Sequence, residues 1–224
     1  NAAGQMVPSN VPVGQPVPPG LPLHLRPLGQ PVQPSPLVSE PGFQAAPPTP
    51  GTQRLLAIVV DFTPSASRGT TETQWDQYFF TGGGGAEVPT SVKNYWDTVS
   101  YGTITVQPAA ESYGTANNGV VFVTLGYAHP NTGSTTDDRN RQITRDALVA
   151  ADSYVNFANF DSNADGYLNT NELHIYIVVR GYEYSFGGSS SCAGNSVWAH
   201  NWALGWGTVL APTLDGVIVG HYRG

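Results

Sequence analysis

Fourteen of the nineteen prolines fall within residues 1–50. Proline fixes φ and carries no amide hydrogen. Stretches such as Pro16-Val17-Pro18-Pro19 and Pro31-Val32-Gln33-Pro34-Ser35-Pro36 can therefore neither continue a helix nor serve in a central strand. Residues 1–52 read as an extended, polyproline-like linker. Two other readings stay open: a recruiting segment for a proline-binding module, and a propeptide-like segment lying over the domain that follows. Regular structure is expected from about residue 53 onward, and residues 53–224 suffice for one domain with its own core.

The change of character at Gln53 is abrupt. Arg54 to Phe62 is almost continuously apolar and reads as a strand buried on both faces. Thr71 and Gln74 have the spacing of a capping box, with Trp75, Tyr78 and Phe79 following at helical spacing. Ser91 to Ser100 reads as a short helix with Val92, Tyr95, Trp96 and Val99 on one face. Gly102 ends it, and Thr103 to Val106 alternates as a strand. Gly119 to Leu125 is a further strand. Asp137 or Asp138 can cap a long helix running to about Asn156, with an apolar stripe of Ile143, Ala147, Leu148, Ala151 and Val155. Leu173 to Val179 is β-branched and returns to the sheet. Short strands are expected within Asn195–Trp202 and Gly216–Val219. Alternating helices and strands predict an α/β (α+β) domain, a twisted mixed sheet backed by helices.

Between the long helix and the strand at Leu173 lies Asp161-Ser162-Asn163-Ala164-Asp165-Gly166-Tyr167-Leu168-Asn169-Thr170-Asn171-Glu172. Side-chain oxygens stand at positions 1, 3, 5, 9 and 12 of these twelve residues, with glycine at 6. That is the pattern of a calcium loop, because calcium takes six to eight oxygen ligands. Asp161, Asn163 and Asp165 each offer an oxygen, and Gly166 allows the turn that wraps the chain. Tyr167 offers its backbone carbonyl, Asn169 a direct or water-mediated contact, and Glu172 two oxygens. Leu168 is expected to point into the core. An Asx-rich turn without a metal would use the same Asp and Asn residues, but it has no need of a glutamate at position 12. A helix-loop-strand calcium site pins two elements together, whereas a sensor opens a pair of helices.

Composition excludes some partners. The formal charge is −7, Lys93 is the sole lysine, and no basic stripe exists. Nucleic acid is therefore not an expected partner. No apolar run approaches the roughly 18 residues of a membrane span. Cys192 is the only cysteine, so no disulfide within the chain is possible. A static loop of modest affinity suits the millimolar calcium outside cells, which points to a secreted or extracellular protein.

Five segments, in order, resemble the immune inhibitor A family of secreted zinc metallopeptidases. Residues 54–62 resemble its opening strand. Ser91-Val92-Lys93-Asn94-Tyr95-Trp96-Asp97-Thr98-Val99-Ser100-Tyr101-Gly102-Thr103-Ile104 resembles a helix and the strand after it. Phe160 to Gly181 resembles its calcium loop and succeeding strand. Val197-Trp198-Ala199-His200-Asn201-Trp202 resembles its Trp-small-His-x-Trp segment. Asp215 to Tyr222 resembles the strand close before its catalytic helix. The likeness runs from about residue 53 to the end.

That resemblance implies a zincin-like fold and proteolysis of a protein or peptide substrate. It also implies zinc, held by a His-Glu-x-x-His helix whose glutamate activates the bound water. The five histidines here are His24, His129, His174, His200 and His221; none has a histidine four residues away and none adjoins a glutamate. The chain therefore reads as the amino-terminal portion of such a domain, with zinc ligands outside it and no catalytic residue to assign. His200, between Trp198 and Trp202, reads as a histidine packed on aromatics and bonded to backbone, or else as part of a substrate cleft. His200 and His221 could share a metal only with a third ligand. His174 is expected on the solvent side of its strand. Asp61 is either a strand-end cap or a second calcium ligand. The other functional reading is a non-catalytic, calcium-stabilised extracellular binding module, its aromatic residues serving as the contact surface.

Overall fold

The computed structural model describes residues 50–64, 69–83, 90–134, 138–185, 195–205 and 208–223. The proline-rich tract, His24 and Cys192 lie outside the described residues, as does the side chain of His221. The strand read at Arg54–Phe62 is β1, Gly51–Phe62. From Leu55 onward every residue of it is buried. A backbone buried on both faces must satisfy its amides in the sheet, and β1 does so with three parallel partners. These are β2 (Ile104–Pro108), β3 (Val120–Leu125) and β5 (His174–Val179).

β2 and β3 share one edge of β1 in tandem. β2 pairs with Gly51 to Leu55, and β3 with Ala57 to Phe62. Between them the chain leaves the sheet at Ala109, whose amide donates to the Leu55 carbonyl, and returns at Gly119, whose carbonyl accepts from Ala57. Gly119 has φ +74°, and a Cβ there would lie 2.9 Å from Pro108 Cβ and 3.0 Å from the Leu55 oxygen. Only glycine combines that backbone with that approach. Buried Glu111 holds the excursion closed, accepting the amides of Tyr113 (2.6 Å), Asn118 (2.9 Å) and Gly119 (3.3 Å). Burial raises its pKa, and the three amides pull against that.

Alternate residues of β1 feed two cores. Leu56, Ile58, Val60 and Phe62 pack with Ile143, Ala147, Leu148 and Ala151 of α3 (Asp138–Ala151). Leu55, Ala57 and Val59 pack with Phe79 and Phe80, which belong to a π-helical turn, Gln77–Thr81. That turn continues α1 (Glu72–Asp76), whose capping box at Thr71 and Gln74 forms as the sequence predicts. α2 (Val92–Val99) is capped by Ser91. Its apolar face departs from expectation. Val92 is half-buried beside the second core, but Tyr95 (55%), Trp96 (37%) and Val99 (46%) are exposed. The sequence pattern gives the face, and no described residue buries it.

Two further differences concern the long helix. α3 stops at Ala151, not near Asn156, and a 3-10 helix, Phe157–Phe160, follows. Val155 is buried all the same, so the stripe persists although the α-helix does not. The sheet path is β2-β1-β5-β11-β8, ending in β11 (His221–Arg223) and β8 (Asn201–Ala203). β11 runs parallel to β5, and β8 antiparallel to β11. The sheet is therefore mixed, as expected. A small second sheet pairs β4 (Tyr167–Leu168) with β10 (Val217–Val219), and β10 with β9 (Thr213–Leu214). Two short strands, β6 (Tyr182–Glu183) and β7 (Ser196–Val197), pair separately. No helix among the described residues is long and apolar enough to cross a membrane.

Gly119→Ala forces a side chain into left-handed backbone and against the Leu55 carbonyl. The expected loss is roughly 1–3 kcal/mol, read as a lower urea midpoint with an unchanged m-value.

Candidate metal centre

The loop begins where the 3-10 helix ends, at Asp161, and runs through β4 to Glu172, one residue short of Leu173 in the core. Glu172 is buried and is the closing group. Its Oε1 accepts the amides of Ser162 (3.0 Å) and Asn163 (3.3 Å), and the Ser162 hydroxyl (3.1 Å). Its Oε2 accepts the Asn169 amide (3.1 Å) and side-chain Nδ2 (2.7 Å). One carboxylate thus ties positions 2, 3 and 9 of the loop to position 12.

Asp161 does the same at the start. Oδ1 accepts from the Asp165 amide (3.2 Å) and Oδ2 from the Gly166 amide (3.0 Å). Asn163 Oδ1 also accepts from Asp165 (2.9 Å). Asp165 Oδ1 takes the Tyr167 amide at 2.8 Å, and its Oδ2 the Asn163 side-chain amide at 2.9 Å. Gly166 has φ +81°, the turn for which a glycine was expected. Leu168 is buried in the main core, and the Tyr167 ring is half exposed.

These contacts bring together Asp161, Asn163, Asp165, Asn169 and Glu172, with the peptide of Tyr167. The set is all oxygen, and the loop contains no lysine or arginine. In chemistry it suits a hard cation. In geometry, among the described residues, no three His, Cys, Asp or Glu side chains converge as a metal-holding group. The carboxylates are turned to the loop's own amides. Each carboxylate oxygen can accept more than one bond, so an amide does not use up its capacity.

Sequence reasoning missed two acids next to the loop. Asp215, at the β9–β10 turn with φ +50°, accepts the Phe157 amide at 2.7 Å. Asp152, just past α3, has Oδ1 buried without a hydrogen-bond partner among the described residues. Burial raises its pKa, and the Asp215 carboxylate raises it further. Asp215 stands 58 residues from Phe157 in the chain, and no local pattern signals such a pairing.

The histidines lie apart. His129 accepts the Asn131 amide through Nδ1 at 2.9 Å and meets Phe62 edge-on at 4.7 Å. His174 contacts Gln53 Oε1 at 3.0 Å and is half-buried, while Ile175 and Ile177 of the same strand are buried. His200 Nδ1 donates to the Trp198 carbonyl at 2.7 Å, and its ring lies 4.9 Å from Trp202, the aromatic-packed, backbone-bonded arrangement. Burial lowers the pKa of His129 and of His200. Asp61 is buried with the Arg180 guanidinium at 3.3 Å, an ion pair at the strand end. These described side chains do not fit a zinc site, and no hydrolytic step is assigned to them.

Asp152 yields a pH dependence. A carboxyl whose folded pKa is raised binds its proton more tightly when folded, so its destabilising effect is absent below the ordinary carboxylate pKa and grows as pH rises through the folded value. Asp152→Asn is therefore expected to melt higher than wild type at pH 7 in chelator. The gap should close as pH falls toward about 4, followed by circular dichroism.

Compared with models of known protein families, the chain matches none, and no curated protein sequence matches it.

Proposed function

We propose that residues 53–224 form the amino-terminal portion of a secreted zinc-dependent metalloendopeptidase domain, with a zincin-like sheet locked by a calcium ion in the loop Asp161–Glu172. The observation that carries the calcium reading is buried Glu172, whose two oxygens close both ends of an all-oxygen loop. In this reading the cation takes the remaining lone pairs of Asp161, Asn163, Asp165 and Glu172, the Tyr167 carbonyl, and Asn169 directly or through water. It replaces mutual repulsion of three carboxylates with attraction to one charge.

The peptidase reading is supported by where its five segments come together. The stretches at residues 54–62, 160–181, 197–202 and 215–222 contribute to β1, β5, β8 and β11, and the stretch at 91–104 forms α2 and ends at Ile104, the first residue of β2. These are the five strands of the sheet path. Segments spread over some 170 residues of sequence thus build one continuous surface, with helices against it. Zinc would supply Lewis-acid activation of water in the complete domain; its ligands, in this proposal, are not among the described side chains. The alternative, a calcium-stabilised binding module without chemistry, is favoured by the exposed row Tyr95, Trp96, Val99 and Tyr101. The codons that follow Gly224 separate the two: a His-Glu-x-x-His helix supports the peptidase, and a stop codon supports the module.

Calcium binding to the folded chain alone must raise its stability, by about 2.7 kcal/mol at a hundredfold excess over Kd. The melting temperature is expected to rise with millimolar calcium in wild type and not in Asp161→Ala. Terbium should show luminescence sensitised by Tyr167. An unmoved melt together with dark terbium would remove the site. The 224-residue chain should leave casein intact, and chelator-sensitive cleavage by it would show that the hydrolytic residues had been misplaced.

A further inference from the structure

We propose that the loop Asp161–Glu172 is a calcium-operated clamp on the edge of the main sheet, holding β10, β11 and, through them, β8. This rests on the calcium reading above. The loop is stapled to the Leu214–Val219 turn at two points, one before it and one within it. Before it, the Phe157 amide donates to Asp215 Oδ2 at 2.7 Å. Within it, the Gly166 carbonyl accepts from Ile218 at 2.8 Å, and Tyr167 and Leu168 pair with Ile218 and Val219. Gly166 to Leu168 are loop positions 6 to 8. The peptides that a cation must fix are therefore the peptides that β10 grips.

From β10 the chain passes through Gly220 straight into β11. The Gly220 carbonyl accepts the Leu204 amide at 2.7 Å, just after β8. β11 meets β5 at one register pair, Arg223 with Tyr176, but meets β8 at three. Among the described strands, β8 has β11 as its sole neighbour. The pair β11–β8 thus meets the sheet at one register pair with β5, and it continues directly from β10, which meets the loop at two. Short elements with few sheet bonds open locally, below the cost of global unfolding. A ligand bound to the closed form suppresses that opening by mass action. Calcium should therefore act on the edge more than on β1, β3 or α3.

Hydrogen exchange on the full 224-residue chain tests this, with calcium alone as the probe. In millimolar calcium against chelator, amides of residues 163–169, 201–204 and 217–223 are expected to slow by about tenfold or more. Those of β1 and β3 should change less. Asp161→Ala should abolish the effect in all three segments. Asp215→Gly removes the first staple while tolerating the positive φ. It should keep protection of 163–169 and reduce that of 217–223 severalfold. Calcium protection confined to 163–169 in wild type would overturn the clamp and leave the calcium site standing. No protection in any segment would overturn the calcium reading and the clamp with it.

Discussion

Backbone hydrogen bonding along β1 is the constraint from which the rest of the architecture follows. A strand sealed from water on both faces cannot leave an amide or carbonyl unpaired, because each orphan costs about 1–3 kcal/mol. β1 meets that demand with parallel neighbours on both edges. Parallel neighbours require long crossovers. The crossovers carry α1, α2 and α3; α3 covers one face, and Phe79 and Phe80 of the π-helical turn after α1 cover the other. Burial, pairing and helix placement are thus one requirement seen at three scales.

The loop at Asp161 is the counterpart of β1 at the sheet's margin. There the chain is rich in carboxylates, and within the loop Leu168 alone reaches the main core, so hydrophobic burial by itself does not hold it. Hydrogen bonds from amides to Asp161, Asp165 and Glu172 hold it as well. Such a network is directional but carries concentrated negative charge. That is the situation in which a divalent cation contributes most, since it satisfies several acceptors at once.

Legibility in the sequence followed the range of the interaction. β1, the capping box at Thr71 and the loop itself depend on neighbours within a dozen residues, and each has a pattern with a physical cause. The end of α3 was misplaced because Val155 keeps the helical apolar spacing while the backbone has already turned. Alternation places His174 on the less buried side of β5 but cannot reveal that Gln53, 121 residues away, is its partner. The Arg180 partner of Asp61, which follows β5, is 119 residues away in the chain and has no local signal. The exposed face of α2 was visible as a face, but a pattern of apolar residues does not say what covers them.

The tandem placement of β2 and β3 on one edge of β1 also bears on how this fold can vary. The Ala109–Asn118 excursion begins and ends at adjacent points on β1, where the Leu55 carbonyl accepts from Ala109 and Ala57 donates to Gly119. Its two feet are fixed independently of its length. Residues added or removed at its tip, away from Glu111 and Gly119, would leave the strand registers on either side untouched. The site is a natural place to insert residues, or to graft an epitope, without disturbing the sheet.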